Sequence, residues 1–394
     1  MGGKSRKWWV VATLAAGIAL TAGLQNGAAA RSAWSVTPLA SGLDSPRGLA
    51  LTPSGTLLVA EGGHGGDVCY PAGALGRLCI GTTAQVSQVD AKTGAHATFV
   101  TGLYSRSVTL EGITGVDGVA AAGGKPLATI TAFPQELEPL TCAGQPADCP
   151  SVLAAARAQA GQLIELRPSG TWKAVAGVGG SDFVWAGAHP GFSTEPPNGN
   201  PYGLFPLPGG TFVADAGANT LDFVRANGDV IVASAFAPPA PPIGFPADTV
   251  PTCVTVLRGN LYAGSLSGHL WERNGSFTPT DIPVVDASGK SLLHHVTGCA
   301  SDPKSGAIYL VDMWGTPGPP IPAGPQSAAG TGSVVRLGAD GTATVVASGL
   351  NFPNGIALAH DGSLYVTVGS TCTAVGTPFP YCASGGGIVH ITAS

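Results

Sequence analysis

One short pattern recurs along the sequence and constrains its fold more than any other feature. It consists of a proline, a variable residue, a glycine and an apolar run, followed by a tight turn and a second apolar run. Clear copies begin at Ser45 ("SPRGLALTPSGTLLVAE"), Asn200 ("NPYGLFPLPGGTFVAD") and Phe352 ("FPNGIALAHDGSLYVTV"), and weaker copies begin at Gly115, Val250 and Val296. A small unit of this kind cannot bury its own apolar faces, so six copies must pack against one another. The sequence therefore predicts a repeat architecture.

Each copy is usually followed by two further short apolar runs around a glycine-bearing turn. Examples are "TLDFVRANGDVIVASAF" and "GSVVRLGADGTATVVASGL". Turns such as "NGD" and "GADG" tolerate positive φ and connect antiparallel strands. The 59 glycines and 33 prolines imply many turns, and 44% apolar residues suffice for a large core. Four short strands per copy predict an all-β fold, a six-bladed β-propeller, formed as one domain by residues 31–394.

The sixth copy lacks a fourth strand, because the sequence stops after "GGGIVHITAS". The segment Ala33–Leu43 ("AWSVTPLASGL") precedes the first copy and resembles the fourth strand of the fifth copy, "TATVVASGL". We expect this N-terminal strand to pair with the last blade and to close the ring. Closure would also remove the open sheet edge of a linear array.

The first thirty residues have the layout of a secretory signal. Basic residues precede the apolar run Trp8–Leu24, and three alanines end at Ala30. We expect cleavage after Ala30 and a secreted or periplasmic protein without membrane attachment, the alternative being a retained signal anchor. Cleavage would remove three positive charges from a chain of formal net charge −5. The resulting acidic balance disfavours nucleic acid and anionic membranes as partners.

Eight cysteines are an even number, and export would place them where disulfides persist. Six of them form pairs close in sequence inside irregular stretches, and Cys253 and Cys299 stand alone at similar positions in neighbouring inner strands. The predicted disulfides are Cys69–Cys79, Cys142–Cys149, Cys253–Cys299 and Cys372–Cys382. No pair has the CxxC spacing of a zinc site, so a metal role for these cysteines is disfavoured.

The loops between strands are unequal on the two sides of the predicted ring. In an up-and-down blade, the links from strand two to strand three and from one blade to the next share one side, which we call the decorated side. It receives the long irregular stretches Gly62–Thr83, Pro134–Ala160, Trp185–Asn200, Trp314–Gly332 and Gly369–Gly386. The turns of the opposite side are short. We expect the decorated side to carry the functional surface, although drift in loop length is an alternative explanation.

Polar residues recur where the inner strands begin at the decorated side. Before each motif glycine or its replacement stand Arg47, Asp117, Tyr202, Thr252, Gly298 and Asn354, and at the ends of the second strands stand Glu61, Asp215, Ser265 and Asp312. We predict a channel mouth that binds a small-molecule or peptide-like ligand through Arg47, Glu61, Asp117, Tyr202, Asp215, Asp312 and Asn354. The alternative is that these groups cap turns and satisfy backbone donors.

Two further functions stay open, and no catalytic set is assigned. Asp117, Asn354 and Asp312 carry the oxygen ligands that calcium accepts, which would suit a calcium-dependent hydrolase or lactonase. A protein-interaction scaffold in an exported process is the third possibility. His64, in "EGGHGG", and the adjacent His294 and His295 are weaker candidates for a base or a nitrogen ligand. The motifs of serine hydrolases, zinc proteases and nucleotide-binding enzymes are absent from the sequence.

Several stretches resemble the ScyD/ScyE family of exported β-propeller proteins. They are "GLDSPRGLAL", "NPYGLFPLPGGTFVADAGANTLDFVRANGDV", "VPTCVTV" and "ASGLNFPNGIAL". The resemblance implies a propeller and export, but no reaction. More distantly, "FPNGIAL" at Asn354 and "VDG" at Asp117 are similar to the senescence-marker/gluconolactonase group, other NHL-like propellers and strictosidine-synthase-like propellers. In the calcium-dependent lactonases of that group an Asn in this position binds metal, which implies the same role for Asn354.

Overall fold

The computed structural model describes residues 34–109, 111–122, 125–239, 247–315, 328–376 and 380–393. Within them, six antiparallel sheets follow one another along the chain and form the blades of a six-bladed β-propeller. This confirms the predicted fold class. The predicted signal peptide over residues 1–30 lies outside the described residues.

The first described strand, β1 (Trp34–Leu43), belongs to the last blade. Blade 1 follows and has six strands instead of the predicted four: β2 (Pro46–Leu51), β3 (Thr56–Glu61), β4 (Val68–Pro71), β5 (Arg77–Asp90), β6 (His96–Val108) and β7 (Gly112–Thr114). The extra strands arise because β5 and β6 extend beyond the blade, where β4 pairs with β5 and β7 pairs with β6. Part of the Gly62–Thr83 insertion is therefore sheet.

The other five blades have four strands each. Blade 2 contains β8 (Val116–Ala122), β9 (Lys125–Ile130), β10 (Gln162–Leu166) and β11 (Trp172–Gly177). Blade 3 contains β12 (Pro201–Leu207), β13 (Gly210–Asp215), β14 (Thr220–Arg225) and β15 (Val230–Ala235). Blade 4 contains β16 (Pro251–Leu257), β17 (Asn260–Ser265), β18 (Leu270–Arg273) and β19 (Thr280–Ile282).

Blades 5 and 6 complete the ring. Blade 5 contains β20 (Val296–Asp302), β21 (Ala307–Asp312), β22 (Gly332–Leu337) and β23 (Ala343–Leu350). Blade 6 contains β24 (Ile356–Leu358), β25 (Leu364–Val368), β26 (Gly386–Ala393) and β1. Strand β1 runs antiparallel to β26, with Trp34 opposite Ala393 and Leu43 opposite Gly386. The N-terminal strand therefore closes the last blade, as predicted.

Helical segments occur in the links on the decorated side. They are α1 (Pro134–Leu137), α2 (Cys149–Gln159), α3 (Val178–Ala188) and the 3₁₀ turns Gly73–Leu75, Pro190–Phe192 and Pro380–Cys382. Among the described residues there is no helix with both the length and the apolar character needed to cross a membrane.

The apolar core lies between neighbouring blades. One cluster joins Leu49 and Val59 of blade 1 to Tyr365 and Ile388 of blade 6. Another joins blade 5 to blade 6 in the same way. Each sheet therefore buries apolar residues against its neighbours, which is why one blade cannot fold alone.

The motif glycine exists because the inner strands of adjacent blades approach closely around the axis. A Cβ on Gly48 would lie 2.8 Å from the carbonyl oxygen of Asp117, and one on Gly203 would lie 2.5 Å from that of Thr252. Gly118, Gly298 and Gly355 face the same kind of contact. Any side chain at these positions would push two blades apart, so the repeat is a packing requirement.

Blade 4 has a cysteine at the position where the other blades have the motif glycine. Cys253 stands at the glycine position and forms a disulfide with Cys299 of blade 5. Cys299 lies one position further along its strand than Cys253 does, so the two are not equivalent in the motif as the sequence suggested. The other three disulfides, Cys69–Cys79, Cys142–Cys149 and Cys372–Cys382, also form as predicted, and they lie in decorated-side insertions. No cysteine in the described residues is free.

Candidate functional site

The second residue of each repeat motif lies near the decorated end of an inner strand. In chain order these residues are Arg47, Asp117, Tyr202, Thr252, Thr297 and Asn354, and all six are buried. The pairing of Val296 with Asp312, which matches the pairing of Pro46 with Glu61, identifies Thr297 as the blade 5 member. The sequence assigned Gly298 to this position, which was wrong by one residue. Gly298 is the motif glycine and packs against Asn354.

Tyr202 crosses the ring from blade 3 to blade 6. Its hydroxyl oxygen accepts a hydrogen bond from Asn354 Nδ2 at 2.7 Å and another from Arg47 Nη1 at 3.2 Å. Blades 3 and 6 are three positions apart in a ring of six, so the phenol links opposite walls of the channel. Burial raises the pKa of Tyr202, with Arg47 acting in the opposite direction. The Tyr202 phenol is therefore neutral at ordinary pH, and it spans the channel axis.

Arg47 links three blades at the same level. Besides Tyr202, its guanidinium donates to the carbonyl oxygen of Ile113, and its Nε lies 3.9 Å from Asp117 Oδ1. Burial acts to lower the pKa of Arg47, but Tyr202 and Asp117 outweigh it and the pKa is raised. The mouth thus holds one buried cation beside one buried acid.

Oδ1 of Asn354 is buried and has no hydrogen-bond partner among the described residues, and the donor Arg47 Nε likewise lacks an acceptor. The buried Asp117 carboxylate makes no hydrogen bond of good geometry, although the Thr131 hydroxyl and the N–H of Gly115 lie close enough to lower its pKa. Burial raises the pKa of Asp117, although Arg47 opposes the shift. A buried polar group costs free energy when it is unpaired. These groups are therefore available to water or to a ligand.

A cavity of about 70 Å³ lies between these residues. Asp117, Tyr202, Thr252, Thr297 and Asn354 line it, together with the motif glycines and the first apolar residues of the inner strands. The space suffices for several water molecules or for a small polar functional group.

Glu61, Asp215 and Asp312 lie at the decorated ends of the second strands and do not line this cavity. Each accepts at least one backbone N–H from the segment that leads into its own inner strand, and Asp215 also accepts two from the turn that follows β13. The donors are Asp44 to Glu61, Asn200, Gly217 and Ala218 to Asp215, and His294 and His295 to Asp312. Their positions match the alternative expectation that such groups satisfy backbone donors. A direct role for them in ligand binding stays a prediction.

The suggested calcium ligands Asp117, Asn354 and Asp312 differ in their surroundings. Asp117 and Asn354 border the same cavity, but Asp312 is engaged by two backbone donors and by His294 Nδ1 at 3.1 Å. In the part of the chain that the structure describes, no three His, Cys, Asp or Glu side chains are grouped to hold a metal ion. The nearby Arg47 also repels a cation at Asp117.

Sequence reasoning missed a second acidic group, in blade 3. Asp182 of α3 lies against Asp215 and Asp222, and none of the three side chains is exposed. The pKa of Asp182 is raised well above its usual range by burial and by the two neighbouring acids, and burial does the same for Asp222. Two carboxyls in contact need a shared proton. Asp182 precedes a helix-like "FVWAGA" segment, and no sequence signal places it beside β13.

Comparisons with known proteins support the fold alone. No family model matches the chain, and no curated protein matches it. Among solved structures, a protein of unknown function from Bacteroides thetaiotaomicron is 11% identical, covers 92% of this chain and 76% of its own, and has a TM-score of 0.54. A luciferin-regenerating enzyme is 10% identical over 91% and 95%, and a gluconolactonase from Xanthomonas campestris is 9% identical over 92% and 90%, both with a TM-score of 0.50.

Proposed function

We propose that this protein binds a small polar ligand at the decorated mouth of its central channel. The buried oxygens of Asp117 and Asn354 carry the proposal, because both side chains line the central cavity that all six inner strands surround. A ligand that donates hydrogen bonds to these oxygens would relieve an existing cost of burial. This is the ordinary physical basis of a polar anchor in a concave site.

The available chemistry defines the class of ligand. Two carboxylate oxygens and one amide oxygen accept, so the inserted group must donate, as hydroxyl, amine and amide groups do. The cavity of about 70 Å³ would take a small polar group of such a molecule. The cavity is lined by inner-strand residues, and we place the remainder of the ligand among the decorated-side insertions, which carry three disulfides. A polyol, an amine or the end of a peptide fits this description.

The proposed setting is an exported process. Four disulfides are compatible with a secreted or periplasmic protein. The resemblance to the ScyD/ScyE family points to the same compartment. Membership in that family and release from a signal peptide are parts of the proposal.

Calorimetric melting with small probes tests it. The probes are a neutral polyol, an alkylammonium salt and a short peptide amide, each added to the full chain and to Asp117→Asn. We expect at least one probe to raise the melting temperature of the wild type. Hydrogen bonds to a charged acceptor contribute about 1.5–3 kcal/mol, so Asp117→Asn should bind that probe about ten- to a hundredfold more weakly.

Asp340→Asn is the matched control, because Asp340 lies in a turn on the opposite side of the ring. It should bind like the wild type. If no probe shifts the wild-type melting temperature, or if Asp117→Asn binds equally well, the polar-anchor proposal is wrong. The scaffold function would then be favoured.

A calcium-dependent lactonase is the second candidate. The same oxygens of Asp117 and Asn354 favour it, since calcium takes carboxylate and amide oxygens. One fold neighbour with a TM-score of 0.50 is a gluconolactonase. In this case calcium alone should raise the melting temperature of the wild type but not that of Asn354→Ala, and a sugar lactone should be hydrolysed only with calcium. Unchanged melting in calcium would exclude this candidate.

A further inference from the structure

The polar side chains that line the central cavity differ in the hydrogen-bonding capacity they have left. Thr252 and Thr297 already donate their hydroxyl protons to backbone carbonyl oxygens of the next blade, at 2.6 and 3.2 Å. Because a hydroxyl has one proton, neither threonine has a proton left for a ligand. The lining cysteines Cys253 and Cys299 form a disulfide and have no S–H. A side-chain donor to a ligand must therefore come from another lining residue.

Tyr202 supplies that donor. Its hydroxyl oxygen accepts hydrogen bonds from Asn354 Nδ2 and Arg47 Nη1, and both of these nitrogens can only donate. The hydroxyl proton is therefore used by neither contact, and it has no acceptor among the described residues. Because burial raises the pKa of Tyr202, the proton is present at ordinary pH. Tyr202 thus offers one uncommitted O–H donor to the cavity that it lines.

Asn354 and Asp117 supply acceptors in the same cavity. The amide of Asn354 is oriented by the hydrogen bond from its Nδ2 to Tyr202, at 2.7 Å. Its Oδ1 is buried and has no hydrogen-bond partner in the part of the chain that the structure describes. The Asp117 carboxylate is also buried and makes no hydrogen bond of good geometry. The cavity therefore combines two accepting side chains with one donating side chain.

The charges beside the cavity oppose each other. Arg47 Nε lies 3.9 Å from Oδ1 of Asp117, and both side chains are buried. An ammonium group in the cavity would be attracted by Asp117 but repelled by Arg47. A carboxylate would be repelled by Asp117 and would meet the lone pairs of Asn354 Oδ1. Because either ion also loses its hydration on burial, a neutral group suits this cavity better.

We propose that the group inserted into the cavity is a primary carboxamide, a narrower ligand class that rests on the channel-mouth proposal. One N–H of the carboxamide donates to Asn354 Oδ1, the other donates to Asp117, and the carbonyl oxygen accepts the proton of Tyr202. A single hydroxyl has only one proton for the two acceptors, and an ammonium cannot accept from Tyr202. The cavity of about 70 Å³ suffices for a group of this size.

Binding of three small probes to the full chain tests the proposal. Acetamide, acetate and isopropylammonium have similar size and shape, but they differ in charge and in the protons they can donate. Saturation-transfer NMR at constant ionic strength measures their dissociation constants, with millimolar probe because molecules of this size bind weakly. We expect acetamide to bind at least about tenfold more tightly than either ion, since each ion leaves a buried polar group unpaired.

Two variants test the assigned contacts. Tyr202→Phe removes the only uncommitted side-chain donor among the described lining residues and should weaken acetamide binding about two- to tenfold. Asn354→Asp adds a negative charge at the acceptor and should reverse the preference, so that isopropylammonium binds more tightly than acetamide. Tyr262→Phe is the matched control. Its hydroxyl donates to Glu272 away from the residues that line the cavity, so acetamide should bind as it does to the wild type.

Acetate or isopropylammonium binding to the wild type as tightly as acetamide would overturn the carboxamide proposal. Acetamide affinity that is unchanged in folded Tyr202→Phe, or equally reduced in Tyr262→Phe, would overturn it too. If Tyr202→Phe does not fold, the three probes on the wild type and the reversal in Asn354→Asp decide the question. The channel-mouth proposal fails separately. A neutral polyol that binds through Asp117 while acetamide does not bind would retain that proposal and overturn only the carboxamide.

Discussion

The same backbone position in six blades carries side chains with two different tasks. Thr252 and Thr297 donate to carbonyl oxygens of the next blade, those of Val296 and Asn354, and so stitch inner strands together. Arg47, Asp117, Tyr202 and Asn354 instead face the axis and one another. The propeller backbone thus provides six equivalent positions. The side chain at each position determines whether it bonds to the next blade or lines the channel.

Tyr202→Phe should lower the free energy of unfolding by about 1–3 kcal/mol, because it leaves buried donors of Arg47 and Asn354 unpaired. Urea denaturation measures the change. Tyr262→Phe is the control, since the Tyr262 hydroxyl is only half-buried and donates to Glu272 at 2.7 Å, so its loss should cost less. Equal losses of unfolding free energy in the two variants would contradict the conclusion that the Tyr202 hydroxyl links opposite walls of the channel.

The sequence predicted which residues surround the axis better than what they do there. Arg47, Asp117, Tyr202 and Asn354 were found from the repeat alone, because each precedes a glycine required by blade packing. That Tyr202 spans the ring depends on a long side chain reaching an amide 152 residues away. The contact between Asp44 and His64, at 2.7 Å, was not predicted, because His64 lies in an insertion outside the repeat. Periodicity identifies positions and says nothing about such contacts.

At the scale of elements, α3 is attached to blade 3 through acids. Asp182 of α3 meets Asp215 of β13 and Asp222 of β14 in a fully buried group. Asp215 is satisfied by backbone N–H groups, whereas Asp182 has no donor among the described residues. Shared protons would hold such a group together, so we expect the docking of α3 to depend on pH.

Asp182→Asn tests this dependence. The pKa of Asp182 is raised in the folded state, so its contribution to stability is present below about pH 4 and is lost as pH rises above the ordinary value of about 3.9. The amide of the variant donates a hydrogen bond without ionising. We expect Asp182→Asn to unfold at a higher urea concentration than the wild type at pH 7, with a flatter pH profile between pH 4 and 8.

Asp361→Asn tests a carboxylate whose effect on stability changes with pH in the opposite direction. Hydrogen bonds from Ser363 lower the pKa of Asp361, so its contribution is present at neutral pH and is lost as pH falls through the folded value. This variant should lose stability at pH 7 and should flatten the acid side of the profile. For the Asp182 prediction, the contrary outcome is a wild-type free energy of unfolding that rises from pH 4 to pH 8 with the same slope as that of Asp182→Asn. That result would refute proton sharing among Asp182, Asp215 and Asp222.

At the scale of the whole molecule, the closed ring was the most predictable property. Six copies of one motif define six blades, and the missing fourth strand of the sixth copy leads to β1. The insertions were less predictable, because they do not repeat. Their side of the ring followed from strand direction, but α3 and the two additional strands of blade 1 came from contacts that no period encodes.

Ring closure makes a further prediction about chain order. Trp34 pairs with Ala393, so the start of β1 lies beside the end of β26 and a short turn can join them. Deleting Trp34–Leu43 should expose the edge of β26 and the apolar cluster around Ile388 and Tyr365, giving a chain that aggregates or unfolds without cooperativity.

A circular permutant separates loss of the strand from loss of its position in sequence. It begins at Asp44 and carries Trp34–Leu43 after Ala393 through a two- to four-residue hairpin turn. Because the propeller needs the strand in the sheet and not at a particular chain end, the permutant should unfold cooperatively in urea with a midpoint close to that of the wild type. If it behaves like the deletion, closure depends on the covalent link between β1 and blade 1, and pairing with β26 alone does not hold the ring.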